Sequence, residues 1–309
     1  MGIANIHTIG AIVVSGSPAF NLDGIEQASI DPAVALTIQN AGGQVDPSYV
    51  AVMSQSPTVT FTCTDVATAL ANAGISGLAI ASTGATSIDL FFTKAAQGST
   101  RTSGSTHGRV RAVEGILVPQ TLSARQDQHA TIQYRFVATY DGTNNPFAFS
   151  FSQALPHTPS VDELFTVGKV SINGTELDGV VGIDIDFGIE LIVERSGGDV
   201  YPTYVAIGQR RPKIEIATKD IPSLSTFGLS GTAQTSTDSV IYLQKVSENA
   251  TRVAAATAEH VSLTIDDGII HCGEYGGSNN VSAEGRVVIQ PTWDGTNAIM
   301  VINTATAIS

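Results

Sequence analysis

Two sets of side chains have the types and spacing to do chemistry. Asp184, Asp186, Glu190 and Glu194 fall at even spacings, and side chains two apart on an extended chain share one face. A strand running from Ile183 to Val193 would carry them as an acidic stripe. Asp31 alone keeps the acid in a related stretch nearer the N-terminus. Paired carboxylates that divide acid and base roles need burial and contrasting environments, which an open stripe does not supply. The stripe reads as a solvated sheet face or as the lining of a channel along which a polyanion slides. The second set is Arg101, His107, Arg109 and Arg111, in and beside the glycine- and serine-rich run from Gly98 to Gly108. Such composition reads as a flexible surface loop, or as a basic subunit-contact loop that orders against acidic neighbouring copies.

Other chemistry finds no support. The six histidines, at positions 7, 107, 129, 157, 260 and 271, include no His-x-x-x-His pair, and there is no Cys-x-x-Cys. His271 and Cys272 are adjacent, so on a strand they would point to opposite faces rather than share a metal. No nucleophile elbow, phosphate loop or dinucleotide fingerprint occurs. The expectation is a chain that is not an enzyme and has no catalytic residue, cofactor or metal.

Composition narrows the partners. A net charge of −13 opposes electrostatic wrapping of nucleic acid, which needs clustered Lys and Arg. It does not oppose passage of DNA through a conduit, because repulsion prevents sticking. Charged residues make up only 14% of the chain, well below the usual quarter, so part of the surface is expected to be buried against other copies. Cys63 and Cys272 read as reduced, buried, small apolar residues. No basic leader followed by a long apolar run is present, and no segment reaches the roughly 20 apolar residues of a membrane helix. The expectation is a soluble, unsecreted protein with no membrane partner.

The elements that would position these residues are strands. Ile183, Ile185, Phe187, Ile189, Leu191 and Val193 alternate with polar residues, as Ile30, Val34, Leu36 and Ile38 do earlier. That is the period-two signature of a half-buried strand. The two stretches belong to one repeat: Leu22 to Asp65 aligns without a gap on Leu177 to Asp220, with 15 of 44 pairs identical, where chance gives about 3. In each copy Leu-Asp-Gly opens the block, Gly-Gly and a proline shape a connection, and an aspartate caps a short helix, Val66 to Ala73 in the first copy. Beyond the helices, Glu114-Gly115-Ile116 answers Asp267-Gly268-Ile269, and Tyr140 to Asn144 answers Trp293 to Asn297. The Asp-Gly words there read as hairpin turns. The expected architecture is mainly β: two tandem duplicated β-sandwich or half-barrel domains, residues 1–155 and 156–309, each with one short α-helix.

These duplicated blocks, with their glycine-proline connections and helix caps, resemble the tail tube proteins of long-tailed bacteriophages, in the version that fuses two tube domains in one polypeptide. The resemblance implies a structural virion protein of the phage tail, assembled in the host cytoplasm. Its partners would be itself, in stacked homotrimeric rings of pseudo-sixfold symmetry, and other tail proteins at the tube ends. Phage DNA would pass transiently through a continuous β-barrel lumen, lined by the candidate acids Asp31, Asp184, Asp186, Glu190 and Glu194. A surface adhesin or fibre module shares the Ser/Thr/Gly-rich composition but would ordinarily show an export signal. A DNA-encircling clamp is also a duplicated ring, but lines its hole with basic helices. A carbohydrate-active enzyme would need paired carboxylates and aromatics in a cleft, and aromatics are only 6% of this chain.

Overall fold

The structure, a computed structural model, describes residues 6–95, 106–161, 163–228, 230–234, 238–248, 251–280 and 282–309. The chain first forms β1 (Ile6–Ser15), β2 (Phe20–Leu22), β3 (Ile25–Asp31), β4 (Val34–Gln39), β5 (Tyr49–Gln55), β6 (Thr58–Cys63), α1 (Val66–Ala73) and β7 (Leu78–Ile80). After a short 3-10 turn come β8 (Ser87–Ala95), β9 (Thr106–Ala112), β10 (Gly115–Arg125), β11 (Gln128–Ala138) and β12 (Ala148–Ala154). The remainder forms β13 (Leu164–Ile172), β14 (Thr175–Leu177), β15 (Val180–Asp186), β16 (Ile189–Glu194), β17 (Tyr204–Arg210), β18 (Lys213–Thr218) and α2 (Ile221–Leu224). It ends with β19 (Thr232–Ala233), β20 (Ser239–Val246), β21 (His260–Ile265), β22 (Gly268–Gly276), β23 (Glu284–Pro291) and β24 (Val301–Thr306). The protein is mainly β, with strands over 57% of it and helix over 5%.

Two five-stranded antiparallel sheets have the orders β12-β9-β8-β1-β2 and β24-β21-β20-β13-β14. A ten-stranded sheet runs β19-β22-β23-β18-β15-β10-β11-β6-β3, with β7 added beside β10. The hairpins β4–β5 and β16–β17 stand apart as two-stranded arms. The strand order of the first half is thus met again in the second, and β15 against β10 unites them in one sheet.

Alternation decides which face is core. β6 and β18 each bury every second residue, so Val59, Phe61, Ile214 and Ile216 join Ile132, Tyr134, Ile183 and Ile185 in one apolar cluster. Each such side chain withdrawn from water stabilises the fold by about 1.5–3 kcal/mol before entropy is counted. Phe61 stacks on Tyr134 with ring centroids 5.7 Å apart. Gly115 and Gly268 open β10 and β22, where the chain passes from β9 or β21 of an outer sheet into the central one. A Cβ there would lie 2.2 Å from the Val137 carbonyl oxygen or 2.6 Å from that of Gln290, so only glycine fits.

Three expectations change. The chain from Ile183 to Val193 is two strands, because it bends at Phe187-Gly188, where Gly188 has φ +55°. Ile30 to Ile38 breaks in the same way at Pro32-Ala33, where Ala33 has φ +44°. The Asp-Gly words at 141 and 294 do not close hairpins, since β11 and β12 lie in different sheets, as do β23 and β24. Asp141 and Asp294 instead hold identical turns, each accepting from the backbone N–H groups two and three residues on. Those bonds, with the amide of Asn144 or Asn297, hold both carboxyls below the usual carboxylate range.

Candidate assembly interface

The joint between the two halves is where the structure brings separated residues together. Thr121–Arg125 of β10 pair with Gly182–Asp186 of β15, Ser123 lying opposite Asp184. The ladder extends at both ends through Phe187 N–H to the Gln120 carbonyl (2.9 Å) and Gln126 N–H to the Val181 carbonyl (3.1 Å). Across it Asp184 accepts from Ser123 Oγ at 2.8 Å and from Arg125 Nη2 at 2.6 and 2.9 Å. Both side chains are nearly half exposed, so this ion pair contributes at most about 1 kcal/mol. The backbone ladder and the apolar core beneath it hold the joint.

The arm β16–β17 leans over the same joint. At its tip the Val200 carbonyl accepts from Gln55 N–H and the Pro202 carbonyl from Tyr140 N–H, each at 2.8 Å. The rings of Tyr201 and Tyr140 lie 6.1 Å apart. Arg195 donates to the Gln55 carbonyl at 3.3 Å and to Ser56 Oγ, and Arg210 donates to Ser76 Oγ at 3.0 Å. β24 packs on α1 on the other side.

Many of the residues equivalent to these, by the alignment of Leu22 with Leu177 and of Tyr140 with Trp293, are exposed toward the two ends of the ten-stranded sheet. β3 pairs only with β6, and β22 beyond Ile270 pairs only with β23 among the described residues. The arm β4–β5 exposes Val45 at 92% and also leaves Leu36, Ile38, Tyr49, Val50 and Met53 exposed. On β12, Phe149 and Phe151 are exposed, and beyond β23 so is Trp293. Exposed apolar residues concentrated on an arm and a sheet edge mark an interaction surface.

The sequence candidates divide. Asp31 and Asp186 end β3 and β15 and do the same work: Asp31 Oδ1 accepts from Ala33 N–H at 2.8 Å, and Asp186 Oδ1 from Gly188 N–H at 2.9 Å. They hold the bend that sends each strand out into its arm. Asp184 is engaged by Arg125, so it is not a free carboxylate. Glu190 and Glu194 lie on β16, outside the sheet that carries Asp184 and Asp186, and Glu190 accepts from Gln209 Nε2. The continuous acidic stripe therefore does not exist, because the chain bends between its members.

The basic set is corrected as well. Arg101 lies outside the described residues. His107, Arg109 and Arg111 are on β9, in the interior of an outer sheet rather than in a loop. Arg111 makes a bidentate pair with buried Asp89 at 2.7 and 2.8 Å, which raises its pKa. Arg109 donates to Ser150 Oγ. His107 is buried and its Nδ1 accepts the N–H of Lys94 at 2.9 Å.

Sequence reading missed that His260 does the same for Lys245, at 3.1 Å. The signal was present, since each histidine stands seven residues before the acidic-glycine corner at Glu114 or Asp267. Cys63 is buried, with its thiol pushed far up by burial, whereas Cys272 is half-exposed rather than buried. Among the described residues, no three His, Cys, Asp or Glu are grouped to hold a metal ion. No helix among them is long and apolar enough to cross a membrane.

No protein-family model matches the sequence, and no curated protein matches it.

Proposed function

We propose that the chain is a tandem duplication of one β domain, residues 1–155 and 156–309, and that it is a structural subunit of a phage-tail-like tube. One observation carries this reading. The β10–β15 joint unites two sheets of the same strand order, while the counterparts of its two sides, β3 and the far end of β22, are each paired on one edge and open on the other among the described residues. Such a chain adds copies head to tail, and a head-to-tail contact closes into a ring when its rotation allows. Three chains of two domains would complete a ring of six, with no free sheet edge.

The face of the ten-stranded sheet turned away from the core suits passage of a polyanion. It presents Ser29, Thr60, Thr62, Gln133, Thr121 and Ser123, short polar side chains opposite one another in register. Cations on this face are held by acids: Arg125 by Asp184, and Lys213 and Arg286 by Glu215. Arg135 stands outside these pairs. Little cationic surface is free to grip phosphates, so the low friction comes from neutral polar lining and paired charge. The role involves no reaction.

Electron microscopy of the purified protein tests the reading. Stacked rings or tubes are expected, with a mass of three chains per ring. A protein that stays a monodisperse monomer when concentrated would remove it.

A further inference from the structure

We infer that the two bare ends dock onto one another between two copies of this chain in the register of the internal joint, an assignment that rests on the duplication proposed above. The internal joint supplies the template residue by residue. In it Asp186, Ile185 and Asp184 of β15 face Thr121, Leu122 and Ser123 of β10. Their counterparts are Asp31, Ile30 and Ser29 on β3, and Glu274, Tyr275 and Gly276 on β22 of the next copy. Burial agrees with a missing strand. Leu122 is fully buried, whereas Tyr275, at the same place on β22, is 62% exposed.

The arm follows the same rule. Val200 and Pro202 lend their carbonyls to the N–H groups of Gln55 and Tyr140. Their counterparts Val45 and Pro47 would lend theirs to Arg210 and Trp293 of the next copy. Trp293 is 69% exposed and stands where Tyr140 receives the internal arm. Hydrogen bonds around both sites already match: Thr139 N–H reaches the Glu114 carbonyl as Thr292 N–H reaches that of Asp267, and Asn40 braces the Val45 carbonyl as Arg195 braces that of Val200. On the other side, β12 with Phe149 and Phe151 would lie on α2 of the next copy, as β24 lies on α1 within the chain. The open edge of β3, the exposed β4–β5 arm, β12, the far end of β22 and Trp293 are all accounted for by this one contact.

The occupant is therefore a second copy, bound by strand addition and an arm over a tryptophan. The contact is head to tail, so each copy offers one face of each kind.

Cross-linking tests the register. S29C protein mixed with G276C protein, both in a C272S background, should give a disulfide-linked dimer on mild oxidation, since facing strand residues have Cα atoms about 4.5–5.5 Å apart. A Cβ at Gly276 meets nothing within 4 Å, so the substitution is tolerated. D31C mixed with G276C, out of register, should not cross-link. Independently, W293A should weaken self-association of the full chain about tenfold or more, with an unchanged circular dichroism spectrum. Rings or tubes without the S29C–G276C cross-link would overturn this docking and leave the tube reading standing. The cross-link appearing in open fibres would uphold the docking and remove the closed tube. A chain that is monomeric when concentrated would overturn both.

Discussion

Asp65 and Asp220 stand at the same place before a helix and use their carboxylates differently. Asp220 caps α2 through Ser223 N–H at 3.2 Å and reaches Asp178 N–H at 3.1 Å. The hydrogen bonding of Ser223 holds its carboxyl below the usual range. Asp65 makes no side-chain cap to α1. It turns back instead to accept from Asp23 N–H at 2.6 Å and Gly24 N–H at 2.8 Å, and burial raises its carboxyl above the ordinary value against those two bonds. This explains why Leu-Asp-Gly and the distant aspartate recur together: they are the two ends of one hydrogen-bonded clasp. D65A should lose about 2 kcal/mol of stability in urea unfolding, because it strands a buried backbone donor, and D220A should lose clearly less. The cap made by Asp220 was legible in the sequence, since position and residue type agree with that role, whereas the same reading fails for Asp65, whose carboxylate is taken by Asp23 and Gly24. The clasp was not legible, because it depends on which loop the fold brings alongside.

The arms carry the clearest difference between expectation and structure. Apolar alternation through Ile38 and Val193 reads as one long sheet strand, and the pattern does continue unbroken. What it does not show is a change of direction at one residue, since alternation registers face and not course. The bend needs a positive φ, supplied by Gly188 in one arm and Ala33 in the other. A Cβ at Gly188 would lie 2.1 Å from the Arg211 carbonyl oxygen, whereas Ala33 already carries one at a strained angle. G188A should therefore lower stability by more than about 1 kcal/mol, and A33G should raise it by up to about 1 kcal/mol. Thermal unfolding of the two variants side by side measures both signs.

At the scale of the molecule, the mainly β character was readable because composition and alternation agree, while the Asp-Gly words misled, marking turns between sheets rather than hairpins. The union of the halves into one sheet was not readable, because strand pairing across more than 50 residues leaves no local mark. The same long-range pairing makes a charge prediction. In the inferred register Asp31 lies directly opposite Glu274 of the next copy, where the internal joint has Asp186 opposite Thr121. Like charges facing across strands are unfavourable by about 0.2–1 kcal/mol. E274Q should thus strengthen self-association a few-fold in sedimentation equilibrium, and the gain should shrink as salt is raised. A weaker association in E274Q would mean that the facing residue is not an acid.

The segment joining the halves is strapped to the first of them: His157 Nε2 meets Asp23 at 2.6 Å, Ser160 N–H reaches the same carboxylate at 3.2 Å, and Glu163 accepts from Thr68 N–H at 2.9 Å. With so short a tether the internal joint forms at an effective concentration on the order of millimolar, whatever the amount of protein present. Joints between chains have no such tether and depend on supply. An assembly of these chains would accordingly contain two kinds of seam in alternation, one that lasts as long as the fold and one that dilution can open. Its unit of gain, loss and exchange is the whole chain, and never the single domain.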